Sequence, residues 1–345
     1  MELGIGMFGD VSKDISTGIQ KSAHQRIKEI IEEVKLADEV GLDVFGMGEH
    51  HREDYAVSSP EMILAAAATV TKNIKLASAV TVLSSADPVK IYEDFATLDL
   101  LSDGRAEIMV GRGSFIESFP LYGYQLSDYN ELFTEKLDLL LKINKNELVS
   151  WKGKLRASLN NQRIFPRALN GGLDIWIAVG GTPESVIRAA RLGLPLIIAI
   201  IGGYPYQFQP LVMLYKEEYA KHGHDISKMS IGVHSHTFVG ENSQQTADNY
   251  YPYYAAQMDK IGQERGWPPF RKEQFEAGRK KEAALFIGDP AEVTDKILYL
   301  QDIFGLTRFL AHIDVGGAPH KDIMKAIELF GTKVAPEVKK AVGYS

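Results

Sequence analysis

Hydrophobic and polar residues follow two alternating patterns along the chain. Short apolar runs of strand length are followed by longer segments in which apolar residues recur at helical spacing. In the segment His24–Val40, for example, Ile27, Ile30 and Val34 fall on one helical face. Gly41 follows this segment as a residue that commonly ends a helix. The pattern therefore predicts repeated units of one strand and one helix.

Eight runs have the character of strands, and helical segments follow them. The strands are predicted at Leu3–Met7, Asp43–Gly48, Ile74–Leu83, Ala106–Val110, Ile175–Val179, Leu196–Ile201, Ser230–Val239 and Arg308–Val315. The helices are predicted at His24–Val40, Pro60–Val70, Pro88–Leu101, Asn130–Leu148, Pro183–Leu192, Pro210–His222, Pro290–Phe304 and Lys321–Val334, with another beginning near Ser243. Such repeats imply an α/β fold with a parallel sheet, and eight of them close most economically into a (β/α)8 TIM barrel. An open doubly wound sheet is the alternative.

Two stretches interrupt the alternation. Between Trp151 and Asn170 the residues are mainly polar, which indicates a hairpin or a loop insertion. The region around 252–288 is the least regular, and it forms either a mobile lid over the site or an ordinary surface excursion. No Gly/Ser-rich or Pro-rich linker marks a boundary. We therefore expect residues 1–345 to form a single TIM-barrel domain with insertion loops.

Composition narrows the possible functions. The chain has no cysteine, which excludes disulfides, thiolate metal sites and cysteine nucleophiles. The formal net charge is -7 and no basic stripe is present, so nucleic acid is not an expected partner. The most apolar stretch, Leu194–Ile201, is far shorter than the roughly 18 residues needed to span a bilayer. Because the N-terminus also lacks the features of a signal peptide, we expect a soluble cytoplasmic protein without a membrane segment.

In a TIM barrel the functional residues lie in the loops after the strands, so the strand ends identify candidate chemistry. The second strand is followed by Glu49, His50 and His51, within the densest run of ionisable residues in the chain. Histidine suits general acid–base catalysis because its ordinary pKa lies close to neutral pH. A pair of loop histidines without a chemical task is the alternative.

The fourth and fifth strands end in residues suited to binding an anion. Arg112 lies between two glycines, and arginine is a natural partner for phosphate. Gly180 and Gly181 follow the fifth strand, with Thr182 at the cap position of a helix that begins at Pro183. Free N–H groups at a helix start also bind anions. These residues predict a site for a phosphate-bearing ligand; a surface-turn arginine and an ordinary helix cap are the alternatives.

Four histidines raise the question of a metal site. His234 and His236 lie on one face of the seventh predicted strand, which is compatible with metal binding. No third ligand at suitable spacing accompanies them, so we expect these side chains to pack in the barrel interior and predict no metal. A metal-dependent hydrolase that uses His50, His51, His234 and His236 remains an alternative.

An ordered series of motifs resembles the luciferase-like, flavin-dependent monooxygenases, the family of bacterial luciferase. The motifs are Glu49-His50-His51, Ala77–Leu83, Asp87-Pro88-Val89, Glu93-Asp94, Ser102–Arg105, Gly111-Arg112-Gly113, Gly180–Ser185 and Gly193-Leu194-Pro195. Each motif is weak alone, and the order and spacing from residue 49 to residue 113 carry most of the resemblance. The similarity extends over nearly the whole chain.

The resemblance implies a TIM barrel that binds reduced FMN, usually supplied by a separate flavin reductase, and uses molecular oxygen to oxidise a small organic substrate. It implies His50 as the acid or base beside the flavin, with Glu49 next to it in the catalytic group. The implied cofactor-binding residues are Ala79 and Val80, joined by a non-proline cis peptide bond, and Arg112, Gly180, Gly181, Thr182 and Ser185 at the phosphate. The family dimerises through the helices after strands two and three, so a homodimer is expected.

Two departures from the light-emitting members argue against bioluminescence. Val110 occupies the position of the luciferase active-site cysteine, and the excursion before Pro290 is shorter than the mobile loop of those enzymes. Two other activities stay open. A deazaflavin (F420)-dependent dehydrogenase uses the same fold, although Glu49-His50-His51 favours the FMN-dependent branch, and a non-catalytic flavin-binding protein would present the same site.

Overall fold

The computed structural model describes residues 1–11, 13, 15, 18–113 and 115–343. The strands in these residues are β1 (Glu2–Met7), β2 (Val44–Met47), β3 (Lys75–Ser78), β4 (Thr81–Val82), β5 (Ala106–Gly111), β6 (Leu148–Trp151), β7 (Leu159–Arg163), β8 (Asp174–Val179), β9 (Leu196–Ala199), β10 (Ile231–Val239), β11 (Phe286–Gly288) and β12 (Arg308–His312). Parallel pairing joins β1, β2, β3, β5, β8, β9, β10 and β12 in that order, and β12 pairs with β1 to close the ring. The closed barrel confirms the predicted fold and excludes the open doubly wound sheet.

Helices connect the barrel strands. They are α1 (Ala23–Glu39), α2 (Pro60–Ala68), α3 (Pro88–Leu101), α4 (Ser118–Tyr122), α5 (Tyr129–Lys145), α6 (Pro183–Arg191), α7 (Gln209–Lys221), α8 (Ser243–Arg265), α9 (Lys272–Arg279), α10 (Pro290–Phe304), α11 (His320–Leu329) and α12 (Ala335–Ala341). Proline begins α2, α3, α6 and α10, because its fixed φ suits the first helical turn. Within the described part of the chain, no helix combines the length and apolar character needed to cross a membrane.

The predicted third strand, Ile74–Leu83, is divided into two pieces. β3 ends before the Ala79–Val80 peptide bond, which is cis, and β4 begins after it. β4 then continues beside β5, where Thr81 pairs with Val110. The hydrophobic pattern did not predict this division, because the apolar residues Ala79 and Val80 are both compatible with a continuous strand.

The polar stretch Trp151–Asn170 contains part of a hairpin, one of the two structures that the sequence allowed. β6 and β7 pair antiparallel in a small sheet outside the barrel. The helix predicted to reach Leu148 ends earlier, at Lys145, and Leu148 instead begins β6.

The region around 252–288, predicted to be irregular, is mainly helical, so that prediction was wrong. α8 ends at Arg265, followed by Gly266 with a φ of 70° as its C-cap, and α9 follows after a short loop. Pro252 lies inside α8, and this helix-breaking residue obscured the helix in the sequence. Packing overrides that local preference, because Tyr254 and other side chains of α8 are buried in the main core.

The N-terminal end of the barrel is closed by charged side chains from different strands. Arg308 of β12 makes two hydrogen bonds to Glu107 of β5, at 2.6 and 3.0 Å, and its guanidinium lies 4.1 Å from the ring centre of Trp176. Lys75 of β3 pairs with Glu107 at 2.8 Å and with Glu2 of β1 at 2.9 Å. This end of the barrel is therefore filled, and the large cavity lies at the opposite end.

Candidate active site

A cavity of about 1080 Å³ opens at the C-terminal ends of the barrel strands. Its lining comes from the ends of several strands, with Phe8 after β1, His50 after β2, Arg112 after β5 and Gly180 after β8. Helices α8 and α9 contribute a further wall. The strand ends singled out in the sequence therefore converge on one cavity.

His50 lies in a largely aromatic part of the cavity wall. Its ring stacks on Tyr55, with 4.2 Å between centroids, and contacts Phe8 at 4.4 Å. Nδ1 is buried and has no hydrogen-bond partner among the described residues. Burial, reinforced by the positive charge of His312, lowers the pKa of His50 to about 3. The imidazole is therefore neutral at neutral pH and retains one unused ring nitrogen.

Glu49 holds together the loops around His50. One of its carboxylate oxygens pairs with Nε2 of His51 at 2.9 Å, and the other accepts a hydrogen bond from the N–H of Val82 at 2.8 Å. These contacts tie the loop after β2 to the segment that joins β3 and β4. Glu49 also lines the cavity, as expected for the predicted catalytic group, and each of its two oxygens has one of these contacts.

Ala79 and Val80 also line the cavity, and the bond between them is cis, at the position implied by the family resemblance. Glycines on the adjacent strands make room for this segment. A Cβ atom on Gly46 would lie 2.8 Å from Cβ of Ala79, and one on Gly111 would lie 2.8 Å from a methyl group of Val80. Larger residues at either glycine would therefore displace this part of the cavity wall.

Arg112 and Thr182 come together from the ends of β5 and β8. Arg112 Nη2 donates to the hydroxyl of Thr182 at 3.0 Å, and Nη1 donates to the side-chain oxygen of Asn130 at 2.7 Å. The guanidinium also lies 5.2 Å from the ring centre of Tyr129. Because these described partners are all neutral, the positive charge of Arg112 is available to an anionic ligand.

The start of α6 adjoins Arg112. The Thr182 side chain makes no cap bond, so the first turn of the helix lacks that partner for its N–H groups. A Cβ atom at Gly180 would meet nothing within 4 Å, which leaves open space at the strand end. Gly180 and Thr182 line the cavity, whereas Gly181 and Ser185 do not, and Ser185 is buried. The structure thus places three of the five predicted phosphate-binding residues, Arg112 among them, on the cavity surface.

A second arginine near this site was missed in the sequence. Arg188, on α6, has a buried Nη1 atom with no hydrogen-bond partner in the described structure. Burial, followed by the charge of Arg112, lowers the pKa of Arg188, so two guanidinium groups act on the same region. Arg188 follows Ser185 by three residues and falls on the same helical face. This three-residue spacing from Ser185 could have indicated from the sequence that Arg188 lies near the predicted phosphate site.

Three further histidines lie inside the barrel and line the cavity: His234 and His236 from β10, and His312 from β12. The ring centroid of His312 lies 5.1 Å from that of His234 and 5.2 Å from that of His236. The predicted interior position of His234 and His236 is confirmed, and His312 was missed.

The histidines of the hydrolase alternative do not form a common metal-binding group. Among the described residues, two clusters of three or more His, Asp or Glu side chains bring their donor atoms within 4.8 Å of one another. They are Asp10–His312–Asp314 and Glu29–Glu33–His320, and neither contains any of the four histidines required by that alternative.

One wall of the cavity is formed by α8 and the loop that follows it, through residues such as Tyr254 and Phe270. Arg52, in the loop after β2, connects this wall to the barrel. It pairs with Glu117 at 2.6 Å and also with Glu264 of α8. This ion-pair contact joins three separate segments at the mouth of the cavity.

Solved structures share this architecture over their whole length. The monooxygenase RslO1 from Streptomyces bottropensis has a TM-score of 0.85 and 23% identity, covering 98% of this chain and 99% of its own. The oxygenating constituent of 3,6-diketocamphane monooxygenase from Pseudomonas putida, in complex with FMN, has a TM-score of 0.77 and 21% identity, with 98% and 99% covered. The coenzyme F420-dependent tetrahydromethanopterin reductase from Methanopyrus kandleri has a TM-score of 0.71 and 19% identity, with 98% and 100% covered. These likenesses show the shared fold.

Sequence comparison identifies the family. The alkanal monooxygenase alpha chain of the Kryptophanaron alfredi symbiont is 25% identical over 346 residues, which cover 91% of this chain and 93% of the relative. Residues 1–307 match the family described as luciferase-like monooxygenase. Because that match spans most of the chain, the protein belongs to the luciferase-like monooxygenase family.

Proposed function

We propose that the protein is a flavin-dependent monooxygenase that uses reduced FMN and molecular oxygen to oxidise a small organic substrate, without light emission. The observation that carries this proposal is one cavity with an anion cradle at Arg112 and Thr182 and a buried neutral imidazole at His50. The FMN-bound diketocamphane monooxygenase, which has the same fold, supports it.

The residues present fit the phosphate of FMN. Arg112 and the first turn of α6 offer a positive charge and N–H donors to one region, and Gly180 leaves the backbone open there. Arg188 does not line the cavity, but its positive charge acts on the same region as Arg112 and would add to the attraction for an anion. Ala79 and Val80 lie in the same cavity and would support the flavin ring. Bound reduced flavin supplies the electrons that reduce oxygen.

His50 contributes a hydrogen-bonding group in an environment with little water. Its unpartnered Nδ1 can accept a proton or a hydrogen bond from a bound molecule, because the imidazole is neutral at neutral pH. Tyr55, Phe8 and Phe115 surround the ring and exclude solvent from it. The α8 wall would close over the bound molecules as a lid.

The size of the cavity supports simultaneous binding of cofactor and substrate. Its volume of about 1080 Å³ exceeds the usual range of roughly 300–1000 Å³ for a site with one ligand. Aromatic and aliphatic side chains, including Phe115, Ile261 and Phe270, favour an organic substrate of low charge.

A separate flavin reductase would supply reduced FMN in the cytoplasm, and the protein would be a homodimer. Exposed apolar side chains on α2 and α3 support the dimer: Met62, Leu100 and Leu101 are 68%, 44% and 50% exposed. Sedimentation analysis of the purified protein tests this point, and a monomer at micromolar concentration would contradict it.

Binding titrations with FMN, riboflavin and F420, followed by oxygen-consumption assays with reduced FMN, test the main proposal. We expect the affinity for FMN to exceed that for riboflavin, because only FMN reaches Arg112 with a phosphate. We also expect a panel of aldehydes and alkanes to contain a compound that yields an oxygenated product. Release of all consumed oxygen as peroxide with every compound would indicate a non-catalytic flavin-binding protein.

An F420-dependent dehydrogenase is the second candidate, because an F420-dependent reductase has the same fold and the anion cradle also suits the phosphate of F420. Its distinguishing behaviour is substrate-dependent reduction of F420 without oxygen. Tight binding of F420 together with weak binding of FMN would replace the first proposal by this one.

A further inference from the structure

His312 and Asp314 form a buried pair at the C-terminal end of β12. Nε2 of His312 lies 3.3 Å from Oδ1 of Asp314, within ion-pair distance although the geometry is not that of a hydrogen bond, and the two residues are 3% and 0% exposed. His312 also lines the cavity and packs on one side of Phe8, with 4.1 Å between ring centroids. Because His50 packs against the same phenyl ring at 4.4 Å, the two imidazoles flank Phe8 in one cavity.

Asp314 is held in place by donors from two other segments. Its oxygens accept hydrogen bonds from the N–H groups of Phe8 at 3.1 Å and Gly9 at 2.8 Å, and from Arg26 of α1 at 3.2 Å. Burial alone would raise the pKa of Asp314, but His312 and Arg26 outweigh burial and lower it below the ordinary value. The carboxylate is therefore ionised and fixed in orientation, as a partner for an imidazolium must be.

The other cavity histidines lack such a carboxylate. Burial, then the charge of His312, lowers the pKa of His234 to about 3, as it does for His50. Burial also lowers the pKa of His236, whose Nδ1 lies 2.9 Å from the hydroxyl of Tyr254. Of these four described side chains, His312 alone has a carboxylate within ion-pair distance.

The surroundings of the pair favour a single ionised carboxylate. The titratable or charged side chains that face it from the packed segments are Asp10, Arg26, His50, His234, His236, Tyr250 and Tyr254. Burial and the charge of Asp314 raise the pKa of Asp10 well above its ordinary value, so Asp314 rather than Asp10 is the carboxylate favoured in the ionised form. Arg26 of α1 forms an ion pair with Asp314 at 3.2 Å. Its positive charge disfavours the binding of a metal cation to the same carboxylate.

We infer that His312 is a second catalytic residue of this cavity, a proton donor to the bound substrate, and that the fixed carboxylate of Asp314 positions its imidazole. The inference rests on the proposed monooxygenase function. One oxygen atom of O2 enters the substrate and the other leaves as water. The two electrons and one proton of that water would come from bound reduced flavin, and protonated His312 would supply the second proton. Neutral His312 then recovers a proton from solvent when the product leaves.

The first experiment needs no flavin. Histidine side chains labelled with 15N are titrated by NMR in the full-length protein, in His312→Asn for assignment and in Asp314→Asn. We expect the imidazole of His312 to lose its proton at lower pH in Asp314→Asn than in the wild type, because the variant removes the carboxylate 3.3 Å away. A neutral His312 over the whole titration, or near-stoichiometric divalent metal in the purified protein, would overturn the inference.

The second experiment uses FMN-loaded protein, with a straight-chain alkanal as probe. In His312→Asn we expect product formed per turnover of reduced FMN to fall by ~10²–10⁴-fold, the usual range for a lost acid or base, with FMN affinity unchanged. The wild-type rate should decline as pH rises through the titration of His312, and this decline should be absent from His312→Asn. His234→Asn, a matched control from the adjacent strand, should retain the decline.

The two experiments separate the failure of this inference from failure of the proposed function. Oxygenation by the wild type with an unchanged pH profile in His312→Asn would overturn the inference and leave the monooxygenase proposal intact. Failure of the wild type to bind FMN would overturn that proposal, and the NMR titration would still decide whether His312 is the charged imidazole.

Discussion

Arg308 and Lys75 both pair with Glu107 at the N-terminal end of the barrel, whereas His50 and His234 at the C-terminal end have buried nitrogen atoms without partners among the described residues. Both ends bury polar side chains from the barrel strands and their loops. At the filled end each of these charges meets an opposite charge. At the open end the unpartnered atoms lie around a cavity of about 1080 Å³.

We interpret the paired groups at the filled end as stabilising the barrel and the unpartnered atoms around the cavity as groups that would bind the proposed ligand. An unsatisfied buried polar group costs about 1–3 kcal/mol, so unsatisfied groups in a native structure require an explanation. A bound ligand that supplies the missing partners explains those near Arg112 and His50.

The largest effect is expected from Arg308→Met at the filled end. Loss of the guanidinium leaves the buried carboxylate of Glu107 without its main partner, which should destabilise the fold by roughly 3–5 kcal/mol. Urea unfolding measures this change. Lys75→Met is the matched control, because Lys75 is 39% exposed in its side chain and should matter by only about 1 kcal/mol or less. Equal losses in both variants would contradict the argument.

The same cluster predicts a dependence of stability on pH. Arg308 and Lys75 outweigh burial and lower the pKa of Glu107 in the folded protein below the ordinary value. Its stabilising contribution is therefore present above the ordinary glutamate pKa and is lost as pH falls through the lowered value. Urea unfolding of Glu107→Gln should show a weaker acid dependence than the wild type, and an unchanged dependence would count against this assignment.

At the cavity end, His50→Ala should reduce oxygenated product by ~10²–10⁴-fold while FMN binding stays close to normal. The variant removes the unpartnered Nδ1 without touching Arg112 or Thr182. Single-turnover assays with reduced FMN measure product and peroxide separately. The surface variant His222→Ala provides the control, and a parallel loss of flavin affinity in His50→Ala would refute the separation of roles.

A smaller effect is expected from Arg112→Ala, which removes one charged partner of the phosphate. FMN affinity should fall by ~10–100-fold, the equivalent of roughly 1.5–3 kcal/mol for a charge-assisted hydrogen bond, while riboflavin affinity stays unchanged. Arg188→Ala should act in the same direction. Arg191→Ala, an exposed residue of the same helix, is the control. An equal loss of affinity for FMN and riboflavin would show that Arg112 does not bind the phosphate.

The smallest effect on stability is expected from Glu264→Ala at the cavity mouth. Its ion pair with Arg52 lies near solvent, because the Glu264 side chain is 41% exposed, so its loss should cost about 0–1 kcal/mol. The end of α8 should nevertheless open more often, which hydrogen exchange detects as faster exchange at that end alone. Faster exchange throughout the barrel would show that this ion pair supports the fold rather than the lid.

Periodicity and the positions of strand ends were sufficient to predict the barrel and to place His50 and Arg112 at one end of it. Both residues directly follow apolar runs, and parallel strands bring such positions to a common edge. The resemblance to the family also located the Ala79–Val80 bond, which is cis. The helical character of 252–288 was not predictable in this way, because Pro252 masks it and burial of Tyr254 stabilises it.

The sequence did not predict which residues far apart in the chain form ion pairs. Asp314 follows the last strand visibly, but its partner Arg26 lies 288 residues away in the chain. Arg308 and Glu107 are separated by 201 residues and meet only because the barrel closes. The sequence by itself determined the repeated units and the side chains at their ends. The closed barrel decided which buried groups are paired and which remain free, because charge compensation depends on distances that exist only after the strands have assembled.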